Sequence, residues 1–208
     1  MGIVFAVPHE MGSVLSRMGA LRCERVAGIR AYTGDLAGRR VVVMAAGMGE
    51  VAAAPAEELL SREPRLARLW IAGYGGGLEP ALHLGDVVVS PEFPPGFSPP
   101  GLLRGRRAIA GKIFHVPRVI ASPGEKARLF RESGAACCEM ESGVVGPIAD
   151  RLGIPWAGVR AISDTAADSL PMALLEASWD AKARRATPGR LLRAMLWRPR
   201  EAMAFLGF

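Results

Sequence analysis

The apolar positions of this chain fall into short runs of two kinds, and their alternation predicts the fold. Gly2 to Val7, Arg40 to Ala45, Leu69 to Ala72, Asp86 to Ser90 and Ile154 to Val159 are compact stretches dominated by β-branched and small apolar residues. Such runs mark strands buried on both faces. Between them, Met11 to Leu21, Val51 to Ser61, Glu125 to Ser133 and Glu141 to Leu152 read as helices; Met11, Val14, Leu15 and Met18 stand at helical spacing in the first. Ala31 to Gly38 reads as a strand with a hairpin turn, and Ala135 to Cys138 as a short strand. Strands alternating with helices over short links predict a mainly parallel α/β sheet in a single domain. Pro91 to Gly101, with five prolines and two phenylalanines, must be irregular, as a spacer or as a lid over a site.

Parallel sheets bind ligands beyond the carboxyl ends of their strands, so the strand ends carry the candidate chemistry. Three end in distinctive turns: Pro8-His9-Glu10, Gly47-Met48-Gly49 and Gly75-Gly76-Gly77. Glycines at a strand-to-helix turn let backbone amides approach a ligand, or simply make the turn tight. Gly73, Gly75 and Gly77 run into Leu78-Glu79-Pro80 rather than a clear helix, which argues against a dinucleotide fingerprint. The acids say more. Cys138-Glu139-Met140-Glu141 and Arg160-Ala161-Ile162-Ser163-Asp164 put charge at the ends of apolar segments, and Glu10 closes the first strand. Glu141 and Asp164 taken singly could cap the segments that follow them. Glu10, Glu141 and Asp164 together at one sheet edge suit hydroxyl binding, water activation or protonation of a leaving group.

Charge adds a tail. From Lys182 onward there are seven basic residues (Lys182, Arg184, Arg185, Arg190, Arg193, Arg198 and Arg200) against Glu201, which accounts for the whole net charge of +6. The body, residues 1–181, is neutral, so the basic balance gives no sign of a nucleic-acid partner. Leu191, Leu192, Met195, Leu196 and Trp197 alternate with Arg190, Arg193 and Arg198, as in an amphipathic basic helix. Residues 182–208 therefore form a tail that docks on the body or lies on an anionic membrane surface, with Pro199 bending or ending its helix. Arg-rich RNA binding has no other support in the chain. Three cysteines, two of them adjacent, predict thiols packed in a core and a reducing, cytoplasmic setting. No Cys/His spacing suggests a metal site. The first residues enter a strand without a basic leader, and no apolar run approaches the roughly 20 residues a spanning helix needs.

Six motifs in fixed order carry a resemblance. They are Ala6-Val7-Pro8-His9-Glu10, Tyr32 to Gly38, Gly47 to Ala54, Gly75 to Asp86, Glu139-Met140-Glu141 and Val159 to Asp164. Over residues 2–168 the chain resembles the nucleoside phosphorylase superfamily, specifically its methylthioadenosine/adenosylhomocysteine nucleosidase branch. The resemblance implies a three-layer α/β/α domain around a mixed, mainly parallel sheet, and an enzyme that cleaves the N-glycosidic bond of an adenine nucleoside. It implies that Asp164 protonates N7 of the purine, that Glu141 grips the ribose hydroxyls with Met140 against the sugar, and that Glu10 activates water with Arg160 nearby. Glu139, Ser163, Gly75, Gly76, Met48 and Tyr74 complete the implied substrate site. No cofactor is implied: water is the nucleophile, or phosphate in a phosphorylase. A homodimer or larger homo-oligomer is expected.

Phosphorylases of this superfamily carry a Gly-Asp-Pro-x-Arg loop where this chain has Pro8-His9-Glu10, and a carboxylate there repels phosphate. Hydrolysis is favoured, with phosphorolysis and non-enzymatic nucleoside binding as alternatives. Tyr74 replaces the usual Ser or Thr of the nucleosidases, and the adenine-binding segment is shortened to around Ile120 to Gly124. Met140-Glu141-Ser142, Ser169-Leu170-Pro171 and the arginine-rich end resemble the hopanoid-associated members, which implies an adenosyl-lipid such as adenosyl-hopane as substrate.

Overall fold

Val41 to Ala45, five consecutive buried residues, show how the core is divided. Val42 and Met44 face one layer of packing, while Val41, Val43 and Ala45 face the other. The computed structural model describes residues 1–90, 102–103, 106–180 and 185–197. In chain order the strands are β1 (Gly2–Phe5), β2 (Gly19–Val26), β3 (Ile29–Leu36), β4 (Arg39–Ala45), β5 (Leu69–Gly77), β6 (Val87–Val89), β7 (Leu102–Leu103) and β8 (Arg106–Ala110). They continue with β9 (Ile113–His115), β10 (Cys137–Glu139), β11 (Trp156–Asp164), β12 (Trp179–Asp180) and β13 (Arg185–Ala186). The helices are α1 (Gly12–Leu15), α2 (Ala53–Arg62), α3 (Pro123–Ser133), α4 (Ser142–Arg151), α5 (Met172–Ser178) and α6 (Pro188–Trp197).

The central sheet is mixed, in the order β2-β3-β4-β1-β5-β11-β6-β8-β7, and parallel through its middle from β4 to β11. Helices α2 and α4 cover one face through Ala56, Leu59, Leu60, Val145, Ile148 and Ala149. The turn at Met11 and α1 cover the other, over Ile3, Phe5, Val41 and Val43. Burying a Leu, Val or Ile side chain contributes about 1.5–3 kcal/mol, so these two layers hold the sheet rigid beneath the site. The predicted α/β class and layering are as observed.

The first predicted helix, Met11 to Leu21, ends early. It stops at Leu15, and Gly19 opens β2, which pairs antiparallel with β3. Seven of its eight residues, Gly19 to Arg25, are exposed, so the strand has no buried alternation and its partner defines it. The second difference shapes the site. Gly73 to Gly77 are not a turn: β5 continues through them, because β10 joins it antiparallel at Gly76 and Gly77 after β1 has left at Ile71. The last strong strand likewise runs on to Asp164, against the whole length of β5.

Helix α3 starts at Pro123, two residues before the predicted start. Ser122 caps it by accepting from the Glu125 amide at 3.3 Å, and Gly134, with a left-handed φ of 63°, ends it. Helix α6 packs against α5, with Arg190 and Arg193 in solvent. The prolyl segment Pro91 to Gly101, the 181/182 boundary, Lys182, Arg184, Arg198, Pro199 and Arg200 lie outside the described residues. Among those residues, no helix is long and apolar enough to cross a membrane. Cys137 and Cys138 are buried thiols, but Cys23 is exposed on the edge strand β2, not packed in the core as expected. Burial pushes both inner thiols up to about 12, so they stay protonated and unreactive.

Candidate active site

The glycine run of β5 is the floor on which the charged residues meet. A Cβ on Gly73 would lie 2.7 Å from Glu10 Oε1 and 2.8 Å from Arg160 Nη1, so glycine is required where those two groups face each other. One on Gly75 would lie 3.1 Å from Cβ of Arg160, and one on Gly76 would lie 3.2 Å from Asp164 Oδ2. Glu10 and Arg160 therefore stand over one end of the run and Asp164 over the other, three residues or about 10 Å of strand away.

Glu10 sits in the 3-10 turn Pro8–Met11 that follows β1. Its Oε2 accepts from the amides of Ala6 and Val7, both at 3.0 Å, and its Oε1 accepts from the Tyr74 amide at 2.9 Å. Three backbone donors fix this carboxylate at the point where β1 peels away from β5. Tyr74 thus contributes its amide, while its ring lies at the surface, stacked on His9 with centroids 6.0 Å apart.

Arg160, on β11, is completely buried. Its Nη2 donates to Glu139, and its Nη1 lies 3.5 Å from Glu141 Oε2. Nη1 has no hydrogen-bond partner in the protein, although it stands beside Glu10 at Gly73. An unsatisfied buried guanidinium N–H is costly, and one beside a fixed carboxylate is a ready donor to a small polar guest such as water. Glu139 is held from several sides: its oxygens accept from the Glu141 and Ser142 amides, the Ser142 hydroxyl and Arg160. It fixes Arg160 and the start of α4 from behind the site.

Glu141 occupies the N-cap position of α4, yet its side chain makes no capping hydrogen bond. It turns away and accepts from the Gly49 amide at 3.3 Å. Gly49 has a left-handed φ of 56°, and a Cβ there would meet the Met140 Sδ-methyl carbon Cε at 3.4 Å. The turn at Met48 and Gly49, Met140 and Glu141 thus form one wall. Burial pushes the Glu141 carboxyl up to about 7; Glu139 and Glu10 add to the shift, and Arg160 and the Gly49 amide oppose it. A raised carboxyl holds its proton longer in the folded state. Its contribution to stability is therefore full below the ordinary value near 4.5 and lost as pH rises through about 7. Thermal melting across that window should show wild type losing on the order of 3 kcal/mol relative to Glu141→Gln. Parallel curves would refute the assignment.

Asp164 ends β11, buried. Ser163 donates its hydroxyl proton to Oδ1 at 2.8 Å and has the Gly75 carbonyl as a second acceptor at 3.4 Å. The arrangement is a carboxylate and guanidinium at one end, a second carboxylate at the other, and a carboxyl and thioether wall against the guanidinium.

A family model of the phosphorylase superfamily matches residues 1–99 and 100–196. This chain belongs to that superfamily. It is 28% identical over 203 residues to the 5′-methylthioadenosine/S-adenosylhomocysteine nucleosidase of Shewanella sp. (strain MR-7), covering 82% of this chain and 86% of the relative. Its fold is similar to that of the nucleosidase of Colwellia psychrerythraea 34H in complex with adenine, with a TM-score of 0.69, 22% identity, and 94% and 93% of the two chains covered. It is also similar to a futalosine hydrolase mutant of Helicobacter pylori strain 26695, with a TM-score of 0.67, 18% identity, and 94% and 97% covered.

In this superfamily member the sequence-chosen residues Glu10, Arg160, Glu141, Met140, Met48, Ser163 and Asp164 all border the β5 glycine run or the Gly49 wall. Gly75 and Gly76 are strand residues that make room for Arg160 and Asp164. One residue was missed. Lys126, on α3, is completely buried, and its Nζ donates to Asp164 Oδ2 at 2.6 Å. The signal was present: Lys126, Leu129 and Phe130 share a helix face at i, i+3 and i+4, which puts a lysine in the apolar stripe.

Proposed function

We propose that this protein hydrolyses the N-glycosidic bond of a 5′-substituted adenosine and releases adenine. The observation that carries this reading is Glu10, seated on three backbone amides beside Arg160 Nη1, which has no hydrogen-bond partner in the protein, with Asp164 at the far end of the same glycine run. A water between Glu10 and Arg160 attacks C1′ and gives its proton to Glu10. Asp164 gives a proton to N7, so the C1′–N9 electron pair departs into a neutral base. Glu141 accepts from the ribose hydroxyls, and Met140 lies against the sugar. These contacts strengthen as the ring gains oxocarbenium character, which is where binding energy lowers the barrier.

Phosphorolysis fits less well. The amides of Ala6, Val7 and Tyr74, which could have cradled an anion, already hold a carboxylate. A bound phosphate would face that charge at close range. The nucleosidase name of the 28% identical relative supports the same reaction. For the 5′ substituent we favour an apolar chain, up to a lipid-linked adenosine such as adenosyl-hopane. Support comes from the Met140-Glu141-Ser142 and Ser169-Leu170-Pro171 resemblance and from the exposed arginines of α6. Adenine release measured across adenosines with 5′-hydroxyl, methylthio, homocysteinyl and long alkyl groups tests both levels. Turnover rising with alkyl length supports the lipid assignment, whereas preference for the small groups removes it. Release from none of them would overturn the hydrolase reading.

A further inference from the structure

Lys126 is the only fully buried residue of α3, a position where a helix would ordinarily present a leucine. Burying an ammonium costs several kcal/mol unless its protons are all met. Here they are met: Nζ donates to Asp164 Oδ2 at 2.6 Å, to the Thr165 carbonyl at 2.7 Å and to the Asp168 carbonyl at 3.0 Å. None of these acceptors has a proton to give in return, so all three N–H donors are needed and the nitrogen is an ammonium. The two carbonyls are presented by a turn that Asp168 closes, its Oδ2 accepting from the amide and hydroxyl of Thr165, both at 2.7 Å. The loop after β11 is thus wrapped around a cation that touches Asp164. No other charged side chain pairs with Asp164 among the described residues.

We propose that Lys126 is a positioning residue for the leaving group: its ammonium stabilises the carboxylate that Asp164 becomes when it protonates the purine. This rests on the adenine-nucleoside hydrolase reading. Asp164, the carboxylate partner of Lys126 at rest, acts after taking a proton from solvent onto Oδ1, with Oδ2 kept on Lys126. As C1′–N9 breaks, its electron pair enters the base and that proton passes to N7. The negative charge left on Asp164 meets Lys126 through Oδ2, and Ser163 donates to Oδ1. Lys126 keeps its three protons throughout. Water supplies oxygen to C1′ and a proton to Glu10; Glu10 then releases that proton and Asp164 takes one from solvent, so the net reaction consumes one water. A cation fixed at that oxygen also sets the plane of the carboxyl group against the Gly76 floor. The competing role is a lock that merely holds the loop after β11.

The two roles separate on leaving groups. With the protein intact, adenine release from 5′-methylthioadenosine, S-adenosylhomocysteine, adenosine and a long-chain 5′-alkyl adenosine is compared with nitrophenolate release from 4-nitrophenyl β-D-ribofuranoside, whose leaving group departs without a proton. Both rates come from one preparation, so their ratio does not depend on the fraction folded. Lys126→Met should lower the adenine-to-nitrophenolate ratio ~10-fold or more, and Lys126→Arg, which keeps the charge, should restore part of it. A ratio equal to wild type in Lys126→Met, whether both rates fall or neither does, would overturn the proposal and leave Lys126 a loop lock. A wild-type protein that releases nitrophenolate but no adenine would instead sink the underlying hydrolase reading, and this inference with it.

Discussion

Asp164→Asn is expected to lower adenine release by ~10²–10⁴-fold, the ordinary loss for removing a positioned general acid. Asparagine keeps the volume of the side chain and an oxygen for Lys126, but it has no acidic proton for N7. The substitution also leaves the Lys126 ammonium without its counter-charge in a buried site. Removing one partner of a buried ion pair destabilises by about 3 kcal/mol or more, so melting temperature should fall together with activity. The rate is therefore to be read well below the variant's melting point, after circular dichroism has shown it folded. A folded Asp164→Asn protein with wild-type turnover would remove Asp164 from the chemistry.

Glu10→Gln is the second large effect, expected at a similar ~10²–10⁴-fold in turnover and far less in substrate affinity. The carboxylate accepts from three backbone amides, and a glutamine must turn its NH₂ towards one of those donors. That reorientation displaces the acceptor from the position proposed for the attacking water and removes its basicity. Nucleoside binding, which the proposed function assigns to the Glu141 and Met140 wall, is expected to survive. A parallel loss of binding and turnover would place Glu10 in the substrate grip instead.

Glu10, Glu141 and Asp164 were legible because charge at the end of an apolar strand is conspicuous, and the order of the motifs supplied their partners. The path of Gly73 to Gly77 was not legible. Five residues rich in glycine read locally as a turn, and pairing with β11 from Gly73 to Gly76 and with β10 at Gly76 and Gly77 keeps them extended. The edge strand β2 escaped for a related reason: with Gly19 to Arg25 exposed it carries no alternation, and its existence depends on β3. Lys126 escaped because a lysine on a helix is normally solvated. Its place on the apolar face with Leu129 and Phe130 was legible, but its partner, an acid 38 residues away in the chain, was not.

The most direct test of hydrolysis follows the sugar rather than the base. Proton and phosphorus NMR of a cleavable 5′-substituted adenosine, incubated with the protein in excess phosphate, shows which nucleophile reached C1′. Attack by water guided by Glu10 and Arg160 predicts adenine and the free 5-substituted ribose, at a rate unchanged when phosphate is omitted. Accumulation of the ribose 1-phosphate, or adenine release that stops without phosphate, would contradict it.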